Sequence, residues 1–296
     1  MTMARTERAK RPLLQPGDKI AIVAGSGQLP IDLAIHLRDE GISPLVVMVE
    51  GEAAPELAEF EHETITLEEF AGFLPMLRRH KVTHAVFAGG IGRRPRLRDL
   101  KLTFAFLTLI PRALMALKRG DDGLLRTISG MVESQGIKVV GAHEIMPDLL
   151  ASAGAMTKAV PTKRDFADIR AAEEAARAIG LLDIGQAAVA IGGRAIALEG
   201  IEGTEGLLER VKGLRSHGRI VGHKRGVLVK CSKPGQEERL DLPAIGPQTV
   251  IAAHEAGLAG IAVEAGRSLV LDCGKLVEEA DRHGMFVFGL SPEDRR

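Results

Sequence analysis

The chain has 296 residues, with Lys plus Arg balanced against Asp plus Glu at 39 each, so no net field draws it to nucleic acid or to an anionic membrane as its main partner. Aromatic residues make up 3% and Trp and Tyr are absent, which removes the usual stacking platforms for bases and sugars. Cys231 and Cys273 stand far apart with no CxxC pair, so neither a disulfide framework nor a zinc knuckle is suggested and a reducing cytoplasm is the default expectation.

Residues 1–17 read as a flexible arm, because the basic opening segment is not followed by the apolar run of a signal peptide. Lys19 to Ala24 is a short β-branched strand ended by Gly25-Ser-Gly-Gln-Leu-Pro30, and a helix pattern runs from Ile31 to Glu40. Pro30 suits the first turn of that helix, where its missing N–H costs nothing. Strands are expected at Pro44 to Val49, near Glu63 to Thr66, and at Thr83 to Ala88, with a helix from Leu67 to His80 between the last two. Helices over Leu102 to Lys118 and Asp121 to Gln135 and a strand over Lys138 to Ala142 follow. The longest apolar stretch, Leu102 to Ile110, is stopped by Pro111, well short of the roughly 20 residues of a membrane-spanning helix.

Alternating strands and helices predict a parallel, doubly wound sheet. Residues 18–150 are therefore read as an N-terminal Rossmann-like α/β domain with a mainly parallel sheet. Residues 151–163, rich in small side chains, are read as a linker. Beyond them come a helix from Arg164 to Ile179, a hairpin of Gln186 to Ile191 and Arg194 to Leu198 about Gly192-Gly193, a helix from Thr204 to Arg215, and a strand from Gly226 to Lys230. Gly246 to Ala256, Gly260 to Glu264, Ser268 to Leu271, Gly274 to His283 and Met285 to Phe288 give helix, strand, strand, helix, strand. Residues 164–296 thus form a second α/β domain with a mixed sheet, a size that suits a chain of two domains.

Three glycine turns and one loop are candidates for chemistry. Gly25, Ser26, Gly27 and Gln28 open a helix, where backbone N–H groups and the positive helix end meet an anion. Glu50, ending the second strand, adds a dinucleotide reading, although the fingerprint's third glycine is missing at Pro30 and Ile31. Asp121 and Asp122 stand at a helix start; one of them suffices as a cap, which leaves Asp121 freer for chemistry. Thr204, beside Glu205, is read as an N-cap and as a substrate contact. The densest candidate runs from Lys230 to Gly246 and sets Lys230, Lys233 and Arg239 beside Glu237, Glu238 and Asp241. Leu240, Leu242 and Ile245 are expected to draw this loop onto the core and bury Asp241, and a buried carboxylate needs a cation or a metal.

Taken together, the opening Ile-Val-Ala-Gly-Ser-Gly-Gln-Leu-Pro, Gly120-Asp121-Asp122, Asp183-Ile-Gly-Gln-Ala, Glu199-Gly-Ile-Glu-Gly-Thr-Glu205, Arg239-Leu-Asp241-Leu-Pro-Ala-Ile-Gly-Pro and Gly257-Leu-Ala-Gly-Ile-Ala-Val-Glu-Ala-Gly266 resemble the LpxI-type UDP-2,3-diacylglucosamine pyrophosphatases of lipid A biosynthesis. The resemblance covers nearly the whole chain after residue 17, and it is the order of the motifs that is specific. It implies a Mg²⁺-dependent hydrolase giving UMP and 2,3-diacylglucosamine 1-phosphate (lipid X), with attack at the phosphorus next to the sugar. It also implies two α/β domains enclosing the lipid, a homodimer, and work at the cytoplasmic face of the inner membrane. The family's essential acid falls on Asp241, while Glu237 and Glu205 stand where the family usually has aspartate. On this resemblance Asp241 and Arg239 are the catalytic pair, Lys230 joins Arg239 in holding phosphate, and Asp241 with Asp122 or Asp121 binds Mg²⁺. Two other readings remain open: an NAD-dependent oxidoreductase built on the first glycine turn and Glu50, and a non-catalytic acyl-sugar-binding protein.

Overall fold

The computed structural model describes residues 13–67, 72–92, 121–220 and 225–295. The helix expected over Leu102 to Lys118 lies outside them, as do the side chains of Asp121 and Asp122. By proximity along the backbone the described residues fall into two units, one formed by 13–67, 72–92 and 132–145, the other by 121–131, 146–220 and 225–295.

The first unit is built on β1 (Ile20–Ala24), α1 (Leu29–Asp39), β2 (Leu45–Val49), β3 (His62–Ile65), α2 (Phe73–Arg79), β4 (His84–Ala88), the last residues of α3 (Asp121–Glu133), β5 (Lys138–Val140) and α4 (Ala142–Ile145). Its five strands are all parallel, in the order β3-β2-β1-β4-β5. β1 is buried along its whole length, which is why its sequence is continuously apolar rather than alternating. The strand order reverses between β1 and β4, and at such a switch point the carboxyl ends of the strands leave a crevice.

The second unit contains β6 (Gly154–Ala155), α5 (Lys163–Leu181), β7 (Ala187–Ala190), β8 (Ala195–Leu198), α6 (Gly203–Ser216), β9 (Val227–Lys230), β10 (Ala244–Ile245), α7 (Pro247–Glu255), β11 (Gly260–Glu264), β12 (Leu269–Val270), α8 (Cys273–Arg282) and β13 (Phe286–Leu290). Its sheet runs β6-β13-β11-β9-β7-β8, with β13, β11 and β9 parallel and the outer strands antiparallel. β10 and β12 form a separate parallel pair. The hairpin of β7 and β8 turns through Gly192 and Gly193, both at positive φ, as a two-residue primed turn demands.

Period-two alternation divides the core into two layers. Val189, Leu228, Ile261, Val263 and Val287 face one way and meet Leu207 and Val211 of α6, Val250 of α7 and Leu276 of α8. Ala188, Val227, Val229, Ala262 and Phe286 face the other way, onto Ile169, Ala172 and Ala176 of α5. α5 starts one residue earlier than the sequence pattern suggests, because Thr162 and Asp165 form a reciprocal capping box. Much of segment 151–163 is tied to this unit: Ala151 N–H donates to Ser268, β6 pairs with β13, and Met156 N–H donates to Val287.

In the first unit, the glycine turn after β1 is clamped to the end of β4. Gly25 and Ser26 donate their N–H groups to the carbonyls of Ala88 and Gly90, and Gly90 N–H returns a bond to Ser26. Gly89 has φ +85, and a Cβ there would run into the Ser26 carbonyl. Gly89→Ala is therefore expected to destabilise this unit by about 2 to 4 kcal/mol. Urea unfolding would show it as a lower midpoint with an unchanged slope.

Candidate active site

The carboxyl ends of β9 and β11 carry the charges that an otherwise apolar sheet leaves at its rim. Lys230 closes β9 and is only 6% exposed. Its ammonium donates to the Ala244 carbonyl at 2.9 Å. Burial pulls its pKa down, and the negative charges of Glu199 and Asp241 oppose that pull. Glu199, just past β8, is itself buried. It accepts the Gln186 N–H and the Thr204 hydroxyl, each at 2.7 Å.

From Lys230 the chain enters the loop that precedes β10. Pro234 and Gly235, the latter at φ +75, turn it back. A second turn brings the Leu240 and Asp241 N–H groups to the Glu237 carbonyl. Leu242 and Ile245 are buried and anchor the far end, while Leu269 and Leu271 N–H groups donate to Pro243 and Ile245. Asp241 is half-buried between these anchors, and the Gln236 amide donates to its Oδ2 at 2.6 Å. The loop's cations are matched locally. Arg239 forks onto both oxygens of Glu237 at 2.8 and 3.0 Å, Lys233 pairs with Asp183 at 2.7 Å, and Arg267 pairs with Glu238. The Arg239 fork, aided by Arg126, holds the Glu237 carboxyl below the usual range. Arg126 belongs to α3, whose guanidinium lies against Gly235. The helix that begins at Asp121 and Asp122 thus reaches the Asp241 loop within one unit.

A second charge cluster sits on the α5 side of the sheet. Glu264 is fully buried at the end of β11, accepts Ser232 N–H at 2.7 Å, and pairs with Arg177 at 2.5 Å. Burial raises its pKa, but the Ser232 bond and the Arg177 charge outweigh that and leave it lowered. An acid inside the apolar run Gly260-Ile-Ala-Val-Glu264 is the sequence signal that could have singled it out, since such a group requires partners.

The structure thus brings Lys230, Arg239, Asp241 and, through Glu199, Thr204 to one end of the second sheet. Thr204 lies inside α6 rather than at its cap, which is Glu202; its hydroxyl serves Glu199 instead. Gly25, Ser26, Gly27 and Gln28 lie at the β1 end of the first sheet. There the N–H groups of Gly25 and Ser26 and the Ser26 hydroxyl are all bonded to the end of β4. Gly27 and Gln28 are exposed. Among the described residues no three His, Cys, Asp or Glu side chains gather as a ready-made metal cage. A cage is not what Mg²⁺ requires, because one or two carboxylates with substrate phosphates and waters suffice, and Asp241 fits as one of them.

A parallel sheet with a clamped glycine turn and a mixed sheet ending in a buried lysine and a proline-bounded acidic loop define a two-unit α/β protein with a polar site at strand carboxyl ends. Residues 19–149 match the family model described as LpxI N-terminal domain, and residues 152–288 match the LpxI C-terminal domain. The chain is also 38% identical, over 94% of its length and 99% of the relative's, to the UDP-2,3-diacylglucosamine pyrophosphatase LpxI of Caulobacter vibrioides. The chain belongs to the LpxI family.

Because the folded Glu264 pKa is lowered, its ionised form favours the native state. That contribution is complete above the unfolded carboxylate pKa and lost as pH falls through the folded value. Because the partly exposed Arg177 loses its buried partner but keeps Glu173 at 3.0 Å, Glu264→Gln should lose about 1 to 3 kcal/mol at pH 7. Its stability should also fall less steeply than the parent's on acidification below about pH 5, as denaturant titrations at several pH values would reveal.

Proposed function

We propose that this protein hydrolyses UDP-2,3-diacylglucosamine to UMP and 2,3-diacylglucosamine 1-phosphate (lipid X) in a Mg²⁺-dependent reaction. Membership of the LpxI family and the printed activity of the Caulobacter relative support the reaction. The observation that carries the site is the half-buried Asp241, held by the Gln236 amide and facing the charge of Lys230 at the carboxyl end of β9.

A diphosphate repels nucleophiles because its oxygens are negative, so a hydrolase must offset that charge and place a water in line with the leaving oxygen. Asp241 orients the attacking water and takes up its proton. The water oxygen bonds to one phosphorus, the bridging P–O bond breaks, and the bridging oxygen leaves with the other phosphate. Arg239, planar and already pre-set by its fork on Glu237, is placed to exchange that carboxylate for phosphate oxygens in the same bidentate geometry. Lys230 stands beneath as a buried positive charge whose ammonium is held by the Ala244 carbonyl. Mg²⁺ would be held by Asp241 together with Asp122 or Asp121, and when bound it supplies further neutralisation of phosphate charge.

Among the described residues no helix is long and apolar enough to cross a membrane. A diacylated substrate nonetheless places the work at the cytoplasmic face of the inner membrane in this reading, with the protein a homodimer as the family resemblance implies.

Purified protein given UDP-2,3-diacylglucosamine and Mg²⁺ should release UMP and lipid X in equal amounts, and EDTA should stop it. Asp241→Ala should lower kcat by about a thousandfold or more while its circular dichroism spectrum shows the protein still folded at the assay temperature. Co-purification of acylated sugar without turnover would instead indicate a carrier.

A further inference from the structure

We propose that Gln236 is a positioning residue for this hydrolysis: a buried amide that fixes which oxygen of Asp241 is turned to the diphosphate. The inference rests on the reaction proposed above. Gln236 is 7% exposed, and both ends of its amide are engaged. Its Oε1 accepts the Lys233 N–H at 2.9 Å, and its Nε2 donates to Asp241 Oδ2 at 2.6 Å. A backbone N–H only donates, so the end of the amide that meets Lys233 must be the oxygen, and the NH₂ must face Asp241. The orientation follows from chemistry.

The frame around the amide is equally constrained. Gln236 N–H donates to the Lys233 carbonyl, and the Lys233 ammonium is tied to Asp183 at 2.7 Å, so the turn carrying Gln236 is fixed to the end of α5. Asp241 is fixed in turn by its own N–H on Glu237. With Oδ2 committed to Gln236, Oδ1 is the oxygen left for the attacking water and a cation. A neutral donor suits this task better than lysine or arginine would. It holds the carboxylate in one rotamer without neutralising the charge that the reaction uses.

The experiment compares Gln236→Leu, Gln236→Asn and Gln236→Glu with the parent and with Asp241→Ala, in Mg²⁺ and UDP-2,3-diacylglucosamine. Leu keeps the volume but cannot donate, so kcat should fall about ten- to a hundredfold with KM within about twofold. Asn, which keeps a shorter amide, should recover part of the loss, and Glu, a like charge against Asp241, should be the slowest of the three. An independent readout is the NMR signal of the Gln236 side-chain amide in ligand-free protein. Its protons should exchange slowly with water, and Asp241→Ala should shift them and speed their exchange. If Gln236→Leu keeps full kcat while Asp241→Ala is dead, the positioning role is overturned and the hydrolase reading stands. If Asp241→Ala remains active, or the parent releases no UMP, the hydrolytic site and this inference fall together. An amide signal indifferent to Asp241→Ala would also overturn the contact on which the inference is built.

Discussion

A lysine ammonium taken out of water at the end of β9 is the constraint around which the second unit is arranged. An isolated buried charge is prohibitive, and even a paired one is tolerated only when its hydrogen bonds are satisfied. Lys230 meets that condition with the Ala244 carbonyl and with the charges of Glu199 and Asp241. Each of those three groups is delivered by a different piece of chain. Glu199 follows β8, Ala244 opens β10, and Asp241 lies in the loop between β9 and β10. The loop therefore cannot be a solvated excursion, and its proline bounds and buried Leu242 and Ile245 express the same requirement in sequence.

The two faces of the mixed sheet divide the work. On the α6 to α8 side, Lys230 gathers the carboxylates of the candidate active site. On the α5 side, Glu264 is compensated by Arg177 and by the Ser232 N–H. Lys230 is in register with Val263, the residue before Glu264, so the β-strand alternation sends one charge to each face, and Ser232, just past β9, ties the second cluster to the same strand end. The site consequently stands on the most buried part of the sheet, a rigid footing for chemistry that depends on aligning water with a phosphorus.

Local patterns made most of this fold legible. Continuous apolar runs gave β1, β9 and β11, helical periodicity gave α5 to α8, and Gly192-Gly193 gave the hairpin. The Lys230 to Gly246 loop stood out because opposite charges, prolines and large apolar residues were interleaved there. What escaped the sequence was long-range partnership. Thr204 resembles a helix cap by spacing, yet its hydroxyl is drawn to Glu199, a bond that exists only once β8 is in the sheet. Gln236 looks like any polar loop residue until the turn at Pro234 places its amide on Asp241. The small residues near Gly154 suggest a linker, but β6 pairs there with β13, more than a hundred residues away in the chain. The packing demand on Gly25 and Gly89, set by the close approach of the turns that follow β1 and β4, likewise lies outside what the local pattern of the first glycine turn can show.

The most direct test is a crystal structure of the full chain with Mg²⁺ and an analogue of UDP-2,3-diacylglucosamine whose bridging oxygen is replaced by methylene. The phosphonate pair should lie at the carboxyl end of β9, with Asp241 contacting it through one cation or water and the Arg239 guanidinium turned from Glu237 toward its oxygens. Phosphonates seated elsewhere, with Asp241 and Lys230 undisturbed and remote from them, would contradict the assignment of this lysine-and-carboxylate centre as the place where the diphosphate is cleaved.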